Sequence, residues 1–162
     1  MLAGHLPTAS GYGVLRAIEP GTAERAITDV VDAVHAAGAT TAVHCCAPDT
    51  PVALLARTGA DALSLDTSLL GPNGWESVAA AVEAGTRCWA GVLPTSGPLP
   101  GTGQVAGGLV AAWRRVGLPL AGLREVVVTP TCGLAGAAPA SARAVLARAV
   151  EVAREVDERA QD

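Results

Sequence analysis

The sequence predicts an α/β fold in which short parallel strands alternate with helices in a single domain over residues 1–162. Four short apolar runs are separated by segments in which apolar residues recur at helical spacing. Helices of this length between strands are typical of β/α units, and such units form parallel sheets. Neither a GxGxxG nor a P-loop pattern follows a strand, which argues against the nucleotide-binding versions of this fold.

The helices are predicted from their apolar period and from residues that favour helix ends. The first has Thr22 as its N-cap and Gly38 at its end, and the last has Pro139 near its start. His35, close to the end of the first helix, is expected to be solvated. The predicted helices span residues 22–38, 50–59, 74–85, 104–117 and about 140–159.

The strands are predicted from the short apolar runs between these helices, over residues 40–47, 61–68, 87–94 and 124–130. Strands this short suit a (β/α) barrel at least as well as a Rossmann sheet, and in a barrel the chemistry takes place at the C-terminal ends of the strands. Four strands and about five helices amount to half of an eight-unit barrel, which usually takes about 250 residues. We therefore expect about four β/α units, forming half of a TIM barrel.

Composition and charge exclude several classes of function. The net charge is −4, so a nucleic-acid partner is not expected, because phosphate binding requires a basic face. No apolar run approaches the roughly 20 residues of a membrane span, and the N-terminus lacks the pattern of a secretory signal. We therefore expect a cytoplasmic protein with no membrane contact, in which the four cysteines indicate thiols or metal ligands rather than disulfides.

Potential metal ligands follow three of the four predicted strands. His44 and Cys46 lie two positions apart at the end of the first strand and share a face, whereas Cys45 points to the other face. Asp66 and Cys132 follow the second and fourth strands. Two thiolates, an imidazole and a carboxylate make a ligand set that suits Zn2+. Because the ligands come from several strand ends, they indicate a functional rather than a structural site.

The second predicted strand indicates which face of the sheet carries the site. Its alternation places Ala62, Ser64 and Asp66 on one face, and Leu63 and Leu65 on the other. We expect the polar face to be the ligand-facing side and the leucines to meet the helices.

Other interpretations of these residues stay open. A buried cysteine is most often a small hydrophobe, and a histidine at a strand end is often only hydrogen-bonded. A Cys–His hydrolase, with Cys46 or Cys132 as nucleophile and His44 as base, leaves the second cysteine and the aspartate without natural roles. A redox role for the adjacent Cys45 and Cys46 is weaker, because they do not form a C-x-x-C dithiol. Cys45 and Cys88 are expected simply to pack against the helices.

Three segments together resemble the C-terminal barrel of cobalamin-independent methionine synthases. The segments are HCC at 44–46, ADALSLDTS at 60–68 and VVVTPTCGLAG at 126–136. The resemblance spans roughly residues 22–150 and implies the C-terminal half of a TIM barrel. This family belongs to a wider group with uroporphyrinogen decarboxylase and corrinoid methyltransferases. The residues that correspond to its zinc ligands are His44, Cys46, Asp66 and Cys132.

The resemblance implies zinc-dependent methyl transfer between two bound substrates. In the family the acceptor is the thiol of homocysteine, activated by zinc as a thiolate, and the donor is a methyltetrahydrofolate. Thr67 and Ser68, next to the acidic ligand, are the expected substrate contacts. An activity like that of uroporphyrinogen decarboxylase is disfavoured, because those enzymes do not need the cysteine ligands.

The sequence also departs from the family pattern. The acidic ligand of the family is usually Glu, and Asp66 is one methylene shorter. The strand that ends in an Asp-Ile-His-Ser-type sequence in methionine synthases here reads GVLPTSGPLP (91–100), so the histidine thought to handle the proton is missing and no catalytic residue is assigned. The substrate-binding residues of the first barrel half have no counterpart. A second hypothesis is therefore a truncated or non-catalytic half-barrel that binds metal and acts by self-association or with a missing N-terminal half.

Overall fold

The protein is described by a computed structural model that covers residues 6–7, 14–15 and 18–161. Four parallel strands alternate with helices in this part of the chain, which confirms the predicted α/β class and is consistent with half of a TIM barrel. Two further short strands, β1 (Leu6–Pro7) and β2 (Val14–Leu15), pair with each other in the antiparallel direction.

The parallel sheet has the order β3–β4–β5–β6, so that strands consecutive in the chain are also neighbours in the sheet. Its strands are β3 (Ala42–Cys45), β4 (Ala62–Asp66), β5 (Arg87–Leu93) and β6 (Val127–Pro130). The fourth begins later than the predicted residue 124, because Leu120–Glu125 form a 3-10 helix instead. The buried Leu123 anchors this helix to the core.

The helices agree with the predicted pattern and differ in their ends. They are α1 (Pro20–Ala36), α2 (Val52–Ala56), α3 (Pro72–Glu83), α4 (Thr102–Arg115) and α5 (Pro139–Arg159). The N-cap prediction for Thr22 is wrong: α1 begins two residues earlier, at Pro20, because proline is well suited to the first helical position. Gly38 follows α1 with a φ of 78°, a left-handed conformation that ends the helix. No helix in the described part of the chain is long and apolar enough to cross a membrane.

The hydrophobic core lies between the parallel sheet and the helices. Leu63 and Leu65 of β4 and Cys88 of β5 point into it and are almost fully buried. Trp113 of α4 and Val152 of α5 fill it from the helical side. The leucines of β4 therefore meet the helix layer, as the alternation of that strand predicted, and Cys88 is part of the packing.

The opposite face of the sheet points away from the helices, and we call it the inner face. Its side chains follow from the pairing of the strands, because directly paired residues share a face. Two rows of paired residues define it, the first being His44, Ser64, Trp89 and Val127, and the second Asp66, Gly91 and Thr129. The polar residues predicted to face a ligand therefore lie on the side that a barrel would enclose.

The end of α1 is bonded to the beginning of β4. Nε2 of His35 lies 2.8 Å from Oδ2 of Asp61, and the backbone N–H of Thr41 donates to the same oxygen at 2.6 Å. The Thr41 N–H, together with His35, lowers the pKa of Asp61 to about 2. His35 therefore takes part in a hydrogen-bonded cluster at the N-terminal edge of the sheet, where the sequence had suggested only a solvated side chain.

Candidate metal centre

Three of the four predicted zinc ligands lie together at the C-terminal edge of the sheet. His44 belongs to β3, Cys46 follows that strand directly, and Cys132 lies in the loop after β6. One potential ligand atom from each residue lies within 4.8 Å of the other two. Zinc bound tetrahedrally at about 2.0–2.3 Å from its ligands holds them roughly 3–4 Å apart, so small side-chain adjustments suffice. An imidazole and two thiols also fit Zn2+ chemically.

The two sulfur atoms form the closest contact within this group. Sγ of Cys46 lies 3.1 Å from Sγ of Cys132. The hydrogen bond from Cys46, with further ones from His44 and the backbone N–H of Gly133, lowers the pKa of Cys132 to about 7. The same contact with Cys132 raises the pKa of Cys46 above its ordinary value. A thiolate is thus favoured first at the exposed Cys132, and thiolates are the form in which cysteine binds metal.

His44 has a hydrogen-bond partner on the neighbouring strand. Its Nδ1 lies 3.0 Å from Oγ of Ser64, and the two residues are directly paired between β3 and β4. Ser64 was not among the predicted site residues, although the alternation of β4 had placed it on the ligand-facing side. The signal that could have indicated it is the register between the two strands.

Asp66, the last residue of β4, lies outside the group of three. Its Oδ1 accepts hydrogen bonds from the backbone N–H of Ser68 at 3.0 Å and from the Ser68 hydroxyl at 2.6 Å. Asp66 thereby caps the short 3-10 helix Thr67–Leu69. Both bonds use one oxygen, which leaves Oδ2 as the atom that could reach a metal. Ligation by Asp66 stays a prediction.

The two predicted substrate contacts follow Asp66 directly. The hydroxyl of Thr67 donates to the carbonyl oxygen of Gly91 at 2.9 Å and so links β4 to β5. Ser68 is exposed, with its hydroxyl bonded to Asp66. Contact of either side chain with a substrate stays a prediction.

The remaining two cysteines lie outside the group. Sγ of Cys45 lies 3.2 Å from the hydroxyl of Thr50, which donates to it. Burial raises the pKa of Cys88 to about 12, so that its thiol stays protonated. The packing roles expected for Cys45 and Cys88 agree with these positions.

A cavity of about 420 Å³ lies at the same edge of the sheet, between the loops after β5 and β6. The hydroxyl groups of Thr95, Ser96 and Ser141 line it. The loop that carries Cys132 continues into the cavity wall at Gly136. Polar residues are therefore available in a cavity at the same edge of the sheet as the cysteine and histidine side chains.

Comparison with known protein families identifies the family of the chain. The family model described as "Cobalamin-independent synthase, Catalytic domain" matches residues 17–155. The chain belongs to this family. The family predicted from the three sequence segments is therefore confirmed, and no significant match was found among curated proteins or solved structures. In this cobalamin-independent synthase catalytic domain, the group that could hold a metal is formed by the residues predicted for it at His44, Cys46 and Cys132.

Proposed function

We propose that the protein is a zinc-dependent thiol methyltransferase that resembles cobalamin-independent methionine synthases. The acceptor is homocysteine or a related small thiol, and the donor is a methyltetrahydrofolate or a similar methyl compound. The observation that carries the proposal is the group of three ligand atoms, from His44, Cys46 and Cys132, at the C-terminal edge of a parallel sheet. Active sites of (β/α) barrels lie at this edge.

The side chains of the group leave room for a substrate. Three protein ligands would leave one of the four positions of a bound zinc open, and the exposed His44 and Cys132 would make that position accessible. Bound zinc would supply a positive centre that lowers the pKa of a substrate thiol. If Asp66 also ligates, the substrate thiol would add as a fifth ligand, and three anionic side chains around a dipositive ion would give a net charge of about −1, which favours a nucleophilic sulfur.

The reaction replaces a carbon–nitrogen bond with a carbon–sulfur bond. The thiolate of the acceptor forms the new bond to the methyl carbon, and the electron pair of the broken bond stays on the donor nitrogen, which takes up a proton. The cavity between the loops after β5 and β6, lined by Thr95, Ser96 and Ser141, offers hydrogen bonds to polar parts of either substrate. Thr67 and Ser68 are proposed as further substrate contacts.

Metal analysis of the purified protein tests the proposed centre. We expect about one zinc per chain, because two thiolates and an imidazole bind zinc tightly. Cys46→Ser and Cys132→Ser should each lose the metal. Cys88→Ala is the matched control, because this thiol is buried in the core on the other side of the sheet. A purified protein that holds no zinc and takes up none when it is added would contradict the proposal.

A second candidate function is a half-barrel that acts only in association with another half. Three observations on the inner face favour it. Val127 of β6 is 41% exposed, and Trp89 Nε1 and Thr129 Oγ1 are buried yet have no hydrogen-bond partner among the described residues. A second half-barrel would cover this face and pair with the outer strands β3 and β6. A third outcome, zinc binding with no methyl transfer in any mixture, would favour a metal-binding module.

Methyl transfer assays separate these functions. The chain is assayed alone, and then mixed with the N-terminal barrel half of a cobalamin-independent methionine synthase, with methyltetrahydrofolate and homocysteine as substrates. Turnover by the chain alone supports the methyltransferase, whereas turnover only in the mixture supports association. The variant Cys132→Ser should abolish turnover in both cases, which excludes activity contributed by the added half.

A further inference from the structure

We infer that Ser64 positions His44 at the candidate metal centre, by holding Nδ1 of the imidazole so that Nε2 turns toward the two cysteines. The inference rests on the proposed zinc site and adds a residue to it that does not itself bind the metal. The contact that carries it is the distance of 3.0 Å between His44 Nδ1 and Ser64 Oγ.

His44 depends on such a partner because of its place in the fold. It lies in β3, at one end of the parallel sheet, and its side chain is exposed. An exposed side chain keeps its rotamer freedom unless a specific contact removes it. Among the described residues outside the sulfur pair, Ser64 is the one whose side chain bonds the imidazole. Apart from its contact with the sulfur pair, the ring is therefore oriented by this hydrogen bond.

Strand register makes the contact specific to Ser64. His44 and Ser64 are directly paired between β3 and β4, on the inner face. Leu63 and Leu65, on either side of Ser64, point into the core, so a slip by one residue would expose buried leucines. The packing of β4 against the helices thus places a hydroxyl beside the imidazole.

A hydroxyl group suits this position because it both donates and accepts hydrogen bonds. A neutral imidazole that binds a metal through one nitrogen carries its proton on the other, which then donates to a neighbouring group. If a metal were held at Nε2, the Nδ1–H of His44 would donate to Ser64. When Nε2 carries the proton instead, the hydroxyl of Ser64 donates to Nδ1. Ser64 can therefore hold the ring in one orientation whether or not metal is bound.

Zinc affinity provides the first test. Three variants are compared with the wild-type protein by competition with a chromophoric chelator. Ser64→Ala removes the hydroxyl and should weaken zinc binding about 10- to 100-fold, the usual effect of losing the partner of a ligating histidine. Ser64→Thr keeps a hydroxyl in a residue that suits a strand, and should restore most of the affinity. The matched control is Ser77→Ala, because this hydroxyl donates to a carbonyl within α3. Equal zinc affinity in Ser64→Ala and the wild type would overturn the inference.

The nitrogen resonances of the His44 ring provide a second test that needs no metal. The signals are assigned in the metal-free protein by their loss in His44→Gln. Ser64→Ala should shift the Nδ1 resonance, while Ser64→Thr and Ser77→Ala leave it close to the wild-type position. An Nδ1 resonance that is the same in Ser64→Ala and the wild type overturns the inference even if the protein binds no zinc. A wild-type protein that binds no zinc, but whose Nδ1 responds to Ser64→Ala, refutes the proposed function and supports the contact.

Discussion

Sγ of Cys46 lies 3.1 Å from Sγ of Cys132, although the two residues follow the strands at opposite ends of the parallel sheet. Strands in a sheet are about 4.8 Å apart, so a flat sheet of four would hold its outer strands about 14 Å apart. The approach of the sulfurs therefore requires that the sheet curve, that the loop after β6 cross toward β3, or both. The candidate metal centre therefore combines residues that follow the two outer strands of the parallel sheet, β3 and β6.

The short distance between the sulfurs predicts that oxidation of the metal-free protein links Cys46 to Cys132. A disulfide requires a sulfur separation of about 2.05 Å, so each side chain needs to move by roughly half an ångström. With diamide as oxidant, each thiol gives up a hydrogen, the S–S bond forms, and the diamide is reduced to the hydrazine. Peptide mapping by mass spectrometry without reductant should show the crosslink.

Bound zinc should suppress this crosslink, because the thiolates then serve as ligands. Cys45→Ser is the matched control: it removes a neighbouring thiol and should leave the Cys46–Cys132 crosslink in place. A disulfide between Cys45 and Cys46, or equal oxidation with and without zinc, would contradict the prediction.

Asp66 has two separable roles that a pair of variants distinguishes. Asp66→Ala removes the cap of the 3-10 helix and should lower the free energy of unfolding by about 1 kcal/mol. It also removes Oδ2, the oxygen that the two bonds to Ser68 leave available for a metal. Ser68→Ala removes one of those bonds and retains the carboxylate. Zinc affinity should therefore fall further in Asp66→Ala than in Ser68→Ala, and equal affinities would show that Asp66 only caps the helix.

The Asp61 cluster predicts a pH dependence of stability. The Thr41 N–H and His35 lower the pKa of Asp61 from 3.8 to about 2, so folding favours its carboxylate form. The stability contributed by Asp61 is then fully present above pH 3.8 and is lost as the pH falls through about 2. Asp61→Asn should lower the urea midpoint near neutral pH, and the difference from the wild type should shrink over this acidic range. Asp29→Asn, on the exposed side of α1, is the control, and a difference that does not change with pH would refute the prediction.

The order and type of the elements in the parallel part of the fold could be predicted from the sequence. The spacing of apolar residues and the residues that begin and end helices are local signals. The residues at which helices and strands begin and end were less predictable. Residues 124–126 lead directly into the apolar run of β6 and were predicted as part of that strand, yet Leu120–Glu125 form a 3-10 helix that the buried Leu123 holds against the core. That outcome depends on packing against helices distant in sequence, which a local pattern does not contain.

The candidate site could be predicted in part for the same reason. The alternation of β3 placed His44 and Cys46 on one face, and the structure brings both to Cys132. The bond between His44 and Ser64 depends on the register between two strands, and the bond between His35 and Asp61 joins residues 26 positions apart. Neither can be inferred from one strand or helix alone.

Gly91 lies where three backbone segments meet beside the candidate metal centre. A methyl group at this position would lie 2.7 Å from the carbonyl oxygen of Leu65 and 2.9 Å from Cα of Thr131. It would also lie 3.1 Å from the carbonyl oxygen of Pro130. These neighbours are backbone atoms, so they cannot avoid the added group by a change of rotamer. Gly91 thus allows the loop that carries Cys132 to pack closely against β5.

Gly91→Ala should therefore affect both stability and metal binding. Overpacking of this kind lowers the free energy of unfolding by about 1–3 kcal/mol, and displacement of Thr131 should move the neighbouring Cys132 and weaken zinc binding. Gly108→Ala is the matched control, because a methyl group there meets nothing within 4 Å on an exposed position of α4. Alanine in a helix is favoured over glycine by about 0.5–1 kcal/mol, so this variant should be slightly stabilised and bind zinc normally. Chemical denaturation and zinc competition measure both effects, and a Gly91→Ala protein as stable as the wild type would show that the close approach is not required.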